Sequence, residues 1–461
     1  MNRPLLSLLA GAVLLAGCNL TPHYEQPDLA RPAAFEHAQG AADWPAADWW
    51  RGFSSPELEA LIVRAQANNL DLATAMSRVR QADLQARIAG TALLPSLSGG
   101  LGGSRAQASD NNGGGNSTRY SASLSASYEV DVWGRNRSSV QASELDALAS
   151  AFDRDTVALT VTGAVASSYF KVLELRERLR IAEENLANAT RILAVVEARV
   201  RLGAGTELDL VQQRTLVEQR RAAIPSLRQQ RQTAENALAL LLGEAPQGFA
   251  AQLLGDSLAA LTLPDPIAGG LPSELLLRRP DLRRAETGLL AANADIGAAR
   301  AALFPSLSLS ASGGYDAGLF ASLFNSGNLA HSVSASLLQP IFDGGALRNQ
   351  VRLSEERYRE LADGYRLSVL IAFQEVEDAL IALREGQAQR DSQARVLVNA
   401  ERAFRLAEAQ YRAGAADVLT VLNAQESFFS ARDALLQNTS GQLQNQVQLY
   451  KVLGGGFGEE A

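Results

Sequence analysis

The chain states one pattern twice, about 211 residues apart. Leu94-Pro95-Ser96-Leu97-Ser98 returns as Phe304-Pro305-Ser306-Leu307-Ser308, and Arg137 and Val140 return as Arg348 and Val351. Arg201-Leu202-Gly203-Ala204 matches Arg412-Ala413-Gly414-Ala415, and Leu242-Gly243 matches Leu453-Gly454. The offset is 210 at the first match and 211 at the others, so the copies have kept their length. Each copy runs in one order: alternating segment, polar loop, alternating segment, very long helical run, glycine turn, return helix. A fixed internal period must be read before any motif, because it decides the architecture. Here the period excludes a reading of the 461 residues as unrelated domains in series.

The clearest strand lies in the first copy. Tyr120, Ala122, Leu124, Ala126, Tyr128 and Val130 fall on one face, and Ser121, Ser123, Ser125, Ser127, Glu129 and Asp131 on the other. Strict alternation predicts a strand with one apolar and one wet face. The second copy repeats it around Leu307, Leu309 and Ala311, and again around Val333, Ala335 and Leu337. Tyr120 and Tyr128 stand roughly 26 Å apart along a strand, about the spacing of the two aromatic rims of a membrane barrel. The edge of a soluble β-sandwich shows the same alternation and remains open at this point. Four strands are too few to close a useful barrel, and open edges cannot sit in lipid. Strands that span a membrane would therefore have to be pooled from several chains.

Each strand pair precedes a helical run. From residue 346 to 412, Leu347, Val351, Tyr358, Leu361, Tyr365, Val369, Phe373, Val376, Leu380 and Leu383 recur mostly at steps of three and four. Such a run is on the order of 100 Å long at 1.5 Å per residue, which suits a rod or a tube wall. Aromatic residues make up only 6% of the chain, as expected of long helices and coiled coils. Gly203 and Gly414 end the long helices, and Thr206 or Asp417 caps the return helix. Shorter helical regions are expected over 56–90 and 273–302.

The N-terminus reads as an address. Arg3 precedes an apolar run over 5–16, too short to span a membrane comfortably and fit for a signal-peptide core. Leu15-Ala16-Gly17-Cys18 then forms a lipobox-like end, and Cys18 is the only cysteine, so it forms no internal disulfide. An ordinary signal peptide with an incidental cysteine is the alternative. Pro22, Pro27, Pro32 and Pro45 mark an extended linker.

The chemistry of active sites is not evident. His23, His37 and His331 are isolated, and no Cys/His cluster, phosphate loop or nucleophile elbow is present. The chain asks for no cofactor and reads as no enzyme. A net charge of −8 argues against a nucleic-acid partner. Arg278-Arg279-Pro280-Asp281 reads as a helix start with an Arg–Asp pair.

Together these features resemble the outer membrane factor family, the TolC-like efflux ducts, and its lipoprotein branch in resistance–nodulation–division systems. The resemblance covers nearly the whole mature chain. It is carried by Cys18 in its lipobox and by Trp49-Trp50 followed by Leu58 and Asn69-Leu70-Asp71-Leu72. It is also carried by Leu94-Pro95 with Phe304-Pro305, by Leu277-Arg278-Arg279-Pro280-Asp281-Leu282 and by Tyr411-Arg412-Ala413-Gly414. The tail Leu449-Tyr450-Lys451-Val452-Leu453-Gly454-Gly455-Gly456 fits as well.

The resemblance implies a mainly α fold with a β-barrel portion. It implies a homotrimer whose 12-stranded outer-membrane barrel continues into a periplasmic helical tunnel. The expected parts are a signal peptide (1–17), a lipid-anchored linker (18–57), the first repeat (58–243), an equatorial connector (244–272), the second repeat (273–454) and a tail (455–461). Within the repeats the strand pairs are expected over 95–131 and 305–341 and the hairpins over 135–243 and 345–454.

The implied function is passive export of small molecules, drugs or other toxic compounds, through the outer membrane of a Gram-negative bacterium. The implied partners are a periplasmic membrane-fusion adaptor, an inner-membrane efflux transporter and outer-membrane lipid. Residue by residue, the resemblance carries lipidation to Cys18, adaptor docking to Arg201, Gly203, Arg412 and Gly414, and a periplasmic gate to Asp417, Leu419, Asn423 and Glu426. Tyr120 and Tyr128 are the membrane-interface aromatics. The family segment at the gate often reads Leu-Thr-Val-Leu-Asp-Ala-Gln-Arg. Asn423 here replaces the aspartate and Glu426 the arginine, which puts the usual salt-bridged lock in doubt. The competing reading is a non-transporting, lipid-anchored coiled-coil spacer or adhesin, which accounts for Cys18 and the helices but not for two serine-backed strand pairs.

Overall fold

The computed structural model describes residues 19–29, 32–38, 44–107, 116–264 and 272–457. The signal peptide and Cys18 lie outside the described residues. Among the described residues, eight helices and four strands follow in chain order: α1 (Pro56–Asn68), α2 (Leu70–Gly90), β1 (Ser96–Gln107), β2 (Asn116–Val130), α3 (Arg135–Arg201) and α4 (Glu207–Leu241). The second copy supplies α5 (Pro272–Arg278), α6 (Pro280–Ala301), β3 (Ser306–Ala317), β4 (Leu329–Leu338), α7 (Ala346–Arg412) and α8 (Val418–Val452). Short 3-10 turns lie between some of these. The two long helices have 67 residues each and the two return helices 35 each. The sequence period is thus kept in the elements.

The helical run expected over 56–90 is interrupted at Asn69, and the one over 273–302 at Arg279. Both breaks have tertiary causes. The Asn69 side chain donates to the Leu241 carbonyl (2.8 Å) and accepts from the Leu72 amide (2.9 Å), so it caps α2 while holding the end of α4. Arg279 is buried and forks onto both carboxylate oxygens of Asp281 (3.0 and 2.7 Å), with a further bond to Glu375 (2.6 Å). The expected Arg–Asp pair at this helix start is present. The glycines that end α4 and α8 dock at the same two breaks. Gly243 (φ 69°) and Gly454 (φ 92°) come so close that a Cβ would lie 2.3 Å from the Asn68 oxygen and 2.1 Å from the Arg278 oxygen.

Two compact units are present, and each draws on both repeats. Among the described residues, the first comprises 19–29, 77–107, 116–151 and 284–367. Its centre is one antiparallel sheet of order β1-β2-β3-β4, joined across the repeats by β2 and β3. The register aligns serines into rows. Ser98, Ser125, Ser312 and Ser332 form one, and Ser96, Ser127, Ser310 and Ser334 another. Residues 19–29 cross the helices of this unit. The Thr21 and Ser138 hydroxyls meet at 3.2 Å, Asn293 donates to the Pro22 carbonyl (2.8 Å), and Gln26 donates to the Tyr365 hydroxyl (3.0 Å).

Among the described residues, the second unit comprises 32–38, 44–76, 152–264, 272–283 and 368–457. Its core sets a few aromatic rings among aliphatic side chains. A 3-10 turn over Trp49–Phe53 brings Trp49 to Tyr450 (ring centroids 5.1 Å apart) and Phe53 to Phe170 (4.9 Å). Leu58, Leu61 and Ile62 of α1 close the same core. Trp49 and Leu58, two carriers of the family resemblance, therefore act by packing.

Candidate functional site

The chain presents two candidate functional surfaces, a two-faced sheet and a paired set of helical tips. In the sheet, period-2 alternation puts Leu97, Leu101, Leu124, Leu309, Val333 and Leu337 on one face and the serine rows on the other. Leu101 and Val333 are 85% and 84% exposed. A face this apolar and this exposed marks contact with lipid or with another protein surface. On the opposite face the hydroxyls satisfy one another. Ser96 meets Ser127 and Ser98 meets Ser125 at 2.8 Å, Ser310 meets Ser334 at 2.8 Å, and Ser312 meets Ser332 at 2.9 Å. Charges on this face stand near the strand ends, where Arg119 pairs with Asp316 (3.2 Å) and Glu129 with Arg135 (2.6 Å).

Aromatic residues gather at both ends of the sheet. Tyr120 packs edge-on against Phe320 (5.6 Å) and Tyr315 against Phe324 (5.4 Å). At the other end Tyr128 sits opposite Leu309. Trp133 stacks on Phe304 (4.8 Å) and donates its indole N–H to the Pro305 carbonyl (2.9 Å). Phe320, Phe324 and Trp133 were not singled out from the sequence. Leu319, Phe320, Leu323 and Phe324 make the loop between β3 and β4 more apolar than its counterpart between β1 and β2, and that composition is the sequence signal for the first two.

The helical tips repeat one geometry. At the end of α3 the Gly203 amide donates to the Val200 carbonyl (3.0 Å) and the Ala204 amide to the Arg199 carbonyl (2.8 Å). At the end of α7 the Gly414 amide donates to Tyr411 (3.0 Å) and the Ala415 amide to Gln410 (2.8 Å). Both are Schellman closures around a left-handed glycine, with φ of 73° and 79°. The tips are joined by Arg199, which donates to the Tyr411 carbonyl (2.7 Å) and lies 4.5 Å over the Tyr411 ring. Ile192, Val196 and Leu210 of the first hairpin share a core with Phe404, Tyr411, Val418 and Val421 of the second. Arg201, Gly203, Arg412 and Gly414 are all exposed on these turns, and Arg412 also bonds Glu408 (2.7 Å).

The return helices start differently. Thr206 and Asp209 form a reciprocal capping box. Asp417 instead accepts from the Thr420 hydroxyl (2.6 Å) and the Thr420 amide (2.8 Å), bonds that hold its carboxyl below the usual carboxylate range. Val418, Val421, Gln425 and Phe429 form the buried stripe of α8, while Leu419, Asn423 and Glu426 share an exposed one. The Glu426 carboxylate is paired with Arg220 of α4. A cation supplied from another helix thus meets an anion on α8, where the family pattern carries an arginine on α8.

The connector is gripped by residues not singled out from the sequence. Arg176 donates to the carbonyls of Leu253 (3.0 Å), Gly255 (2.8 Å) and Ala250 (3.1 Å). Glu57 accepts from the amides of Leu254 (2.6 Å) and Gly255 (2.9 Å).

An exposed apolar sheet face backed by hydroxyl rows, on a chain whose other elements are paired long hairpins, defines the wall segment of an outer-membrane channel. The chain belongs to the outer membrane efflux protein family, whose sequence profile matches residues 61–244 and 271–455, one stretch in each repeat. It is 43% identical to the pyoverdine export outer membrane protein OpmQ of Pseudomonas aeruginosa, over 99% of this chain and 98% of that protein. The cation efflux system protein CusC of Escherichia coli K12 is 34% identical over 96% and 98% of the two chains. The open-state MtrE outer membrane channel of Neisseria gonorrhoeae superposes with a TM-score of 0.87 at 32% identity, covering 95% of this chain and 98% of that one. The mainly helical fold with its tandem repeats is that of the TolC-like channels, whose place is the Gram-negative outer membrane and the periplasm beneath it.

Proposed function

We propose that three copies of this chain pool their four-stranded sheets into one 12-stranded barrel and their hairpins into one tunnel, forming a passive efflux duct. The observation that carries this reading is the sheet itself, with an exposed apolar face, hydroxyl rows behind it, and, among the described residues, β1 and β4 each paired on one side only. In lipid every backbone polar group needs a partner, so the edges call for neighbouring copies. Tyr120 and Tyr128 lie at the two membrane interfaces, the serine face lines the lumen, and lipid on Cys18 holds each chain to the membrane.

The energy comes from an inner-membrane transporter, joined by a periplasmic adaptor that docks on the turns around Arg201, Gly203, Arg412 and Gly414. The exposed stripe of Leu419, Asn423 and Glu426, below the Asp417 cap, closes the tunnel at rest. The cargo is a small molecule that the transporter selects. In planar bilayers the purified protein should pass little current, and current should rise on substitution of Leu419 or Asn423. High conductance of the unsubstituted protein overturns the gate. A Cys18→Ser version that stays in solution without detergent overturns the barrel.

A further inference from the structure

The first turns of α8 carry an unsatisfied group in their core. Val418, Val421, Gln425 and Phe429 recur at steps of three and four and are all buried, yet Gln425 is a primary amide with 0% of its surface exposed. Neither its Oε1 nor its Nε2 has a hydrogen-bond partner. Because Gln425 is fully buried within its own chain, no side chain of a neighbouring copy reaches it. The buried glutamine of the other return helix is better served, since Gln213 donates to the Ala189 carbonyl at 2.8 Å.

Polar groups around Glu426 and Phe429, on the same stretch of α8, are also under-satisfied. Asn185 is buried with its Oδ1 unpartnered, and the Arg220 Nε is unpartnered although its guanidinium pairs with Glu426 and lies 5.3 Å from the Phe429 ring. Asn185, Arg220, Glu426 and Phe429 line a cavity of about 380 Å³. Pro225, inside α4 beside this cavity, removes one rung of that helix's hydrogen-bond ladder.

A buried polar group without a partner costs more than a buried apolar group of the same shape gains, and it is most costly where the surroundings are apolar. A polar residue in a coiled-coil core lowers stability and biases the choice between packings. We infer that Gln425 is a built-in destabiliser of the resting packing of α8, which keeps the gate stripe of Leu419, Asn423 and Glu426 within reach of opening. Any rotation of α8 that brings the amide to water or to a carbonyl recovers its hydrogen bonds. The resting and open arrangements are thereby held close in free energy, as a two-state element requires.

This inference rests on the duct and gate proposed above, and its test separates the two. Single-channel openings are counted in planar bilayers for the parent and for Gln425→Met, which keeps the volume and removes the amide. Both are also counted in a Leu419→Ala background, where openings are frequent. Gln425→Met should open at least about tenfold less often, and its thermal midpoint in detergent should rise by about 2 °C or more. Gln425→Glu, which places a charge in the same site, should open more often. Equal opening frequencies of the parent and Gln425→Met in the Leu419→Ala background overturn the inference while leaving the duct intact. Absence of current in every variant, Leu419→Ala included, overturns the duct reading. In that event an unchanged midpoint in Gln425→Met also removes the destabilising role of the amide.

Discussion

A methyl group placed on Gly454 would fall 2.1 Å from the Arg278 carbonyl oxygen, at a backbone φ of 92° that side chains rarely adopt. Gly454→Ala therefore faces two costs, a left-handed backbone and a clash with main chain that cannot turn aside. At Gly203 the φ is similar, but nothing lies within 4 Å of the added carbon. Gly203→Ala should cost about 1–2 kcal/mol, and Gly454→Ala and Gly243→Ala clearly more, read as thermal midpoints in detergent. Equal losses at the three sites would mean that the close approaches are not rigid. Asp417 gives a prediction with a sign. Its folded pKa lies below the unfolded value of about 3.9, held there by Thr420. The stabilisation is thus fully present above the unfolded value and is lost as pH falls through the folded one. Asp417→Ala should speed amide exchange in the first turn of α8 at neutral pH, and the difference from the parent should close as the carboxylate is protonated.

At the scale of elements, the two faces of the sheet make opposite predictions for one substitution. Leu124 and Ser125 are adjacent in β2, on opposite faces and midway between Tyr120 and Tyr128. Arginine on the lipid side of a barrel near mid-membrane costs about 2–4 kcal/mol, and on the lumen side far less. Leu124→Arg should impair folding into lipid vesicles and Ser125→Arg should not, as judged by heat-modifiable mobility in gels. A reversed result would put the serine rows against lipid. The connector offers a second check. Arg176→Ala strips three carbonyls of their donor at once and should expose residues 244–264 to limited proteolysis. The strands were legible because alternation is a local signal, and the long helices and glycine turns because period and Schellman chemistry are local as well. The break at Asn69 was less legible, since its cause is a carbonyl 172 residues away. Arg176 reads in sequence as one more solvated arginine, because its carbonyl acceptors lie more than 70 residues downstream. The pairing of Glu426 with Arg220 joins two return helices in different repeats and has no sequence signature.

At the scale of the molecule, neither repeat is a folding unit, because the sheet unit and the hairpin unit are each assembled from both. A chain cut within residues 265–271 should yield two insoluble halves when each is made alone and a soluble or membrane-inserted pair when they are made together. A first half that folds alone would contradict this. The sheet extends the same logic beyond one chain. β1 and β4 keep an open edge, and an open edge is a template for pairing with whatever strand arrives first. Completion of the wall is then a multimolecular reaction in competition with aggregation. The yield of finished channel should climb more steeply than in proportion to the amount of chain at low expression and fall again at high expression, so that dosage in the cell becomes a determinant of how many pores are built.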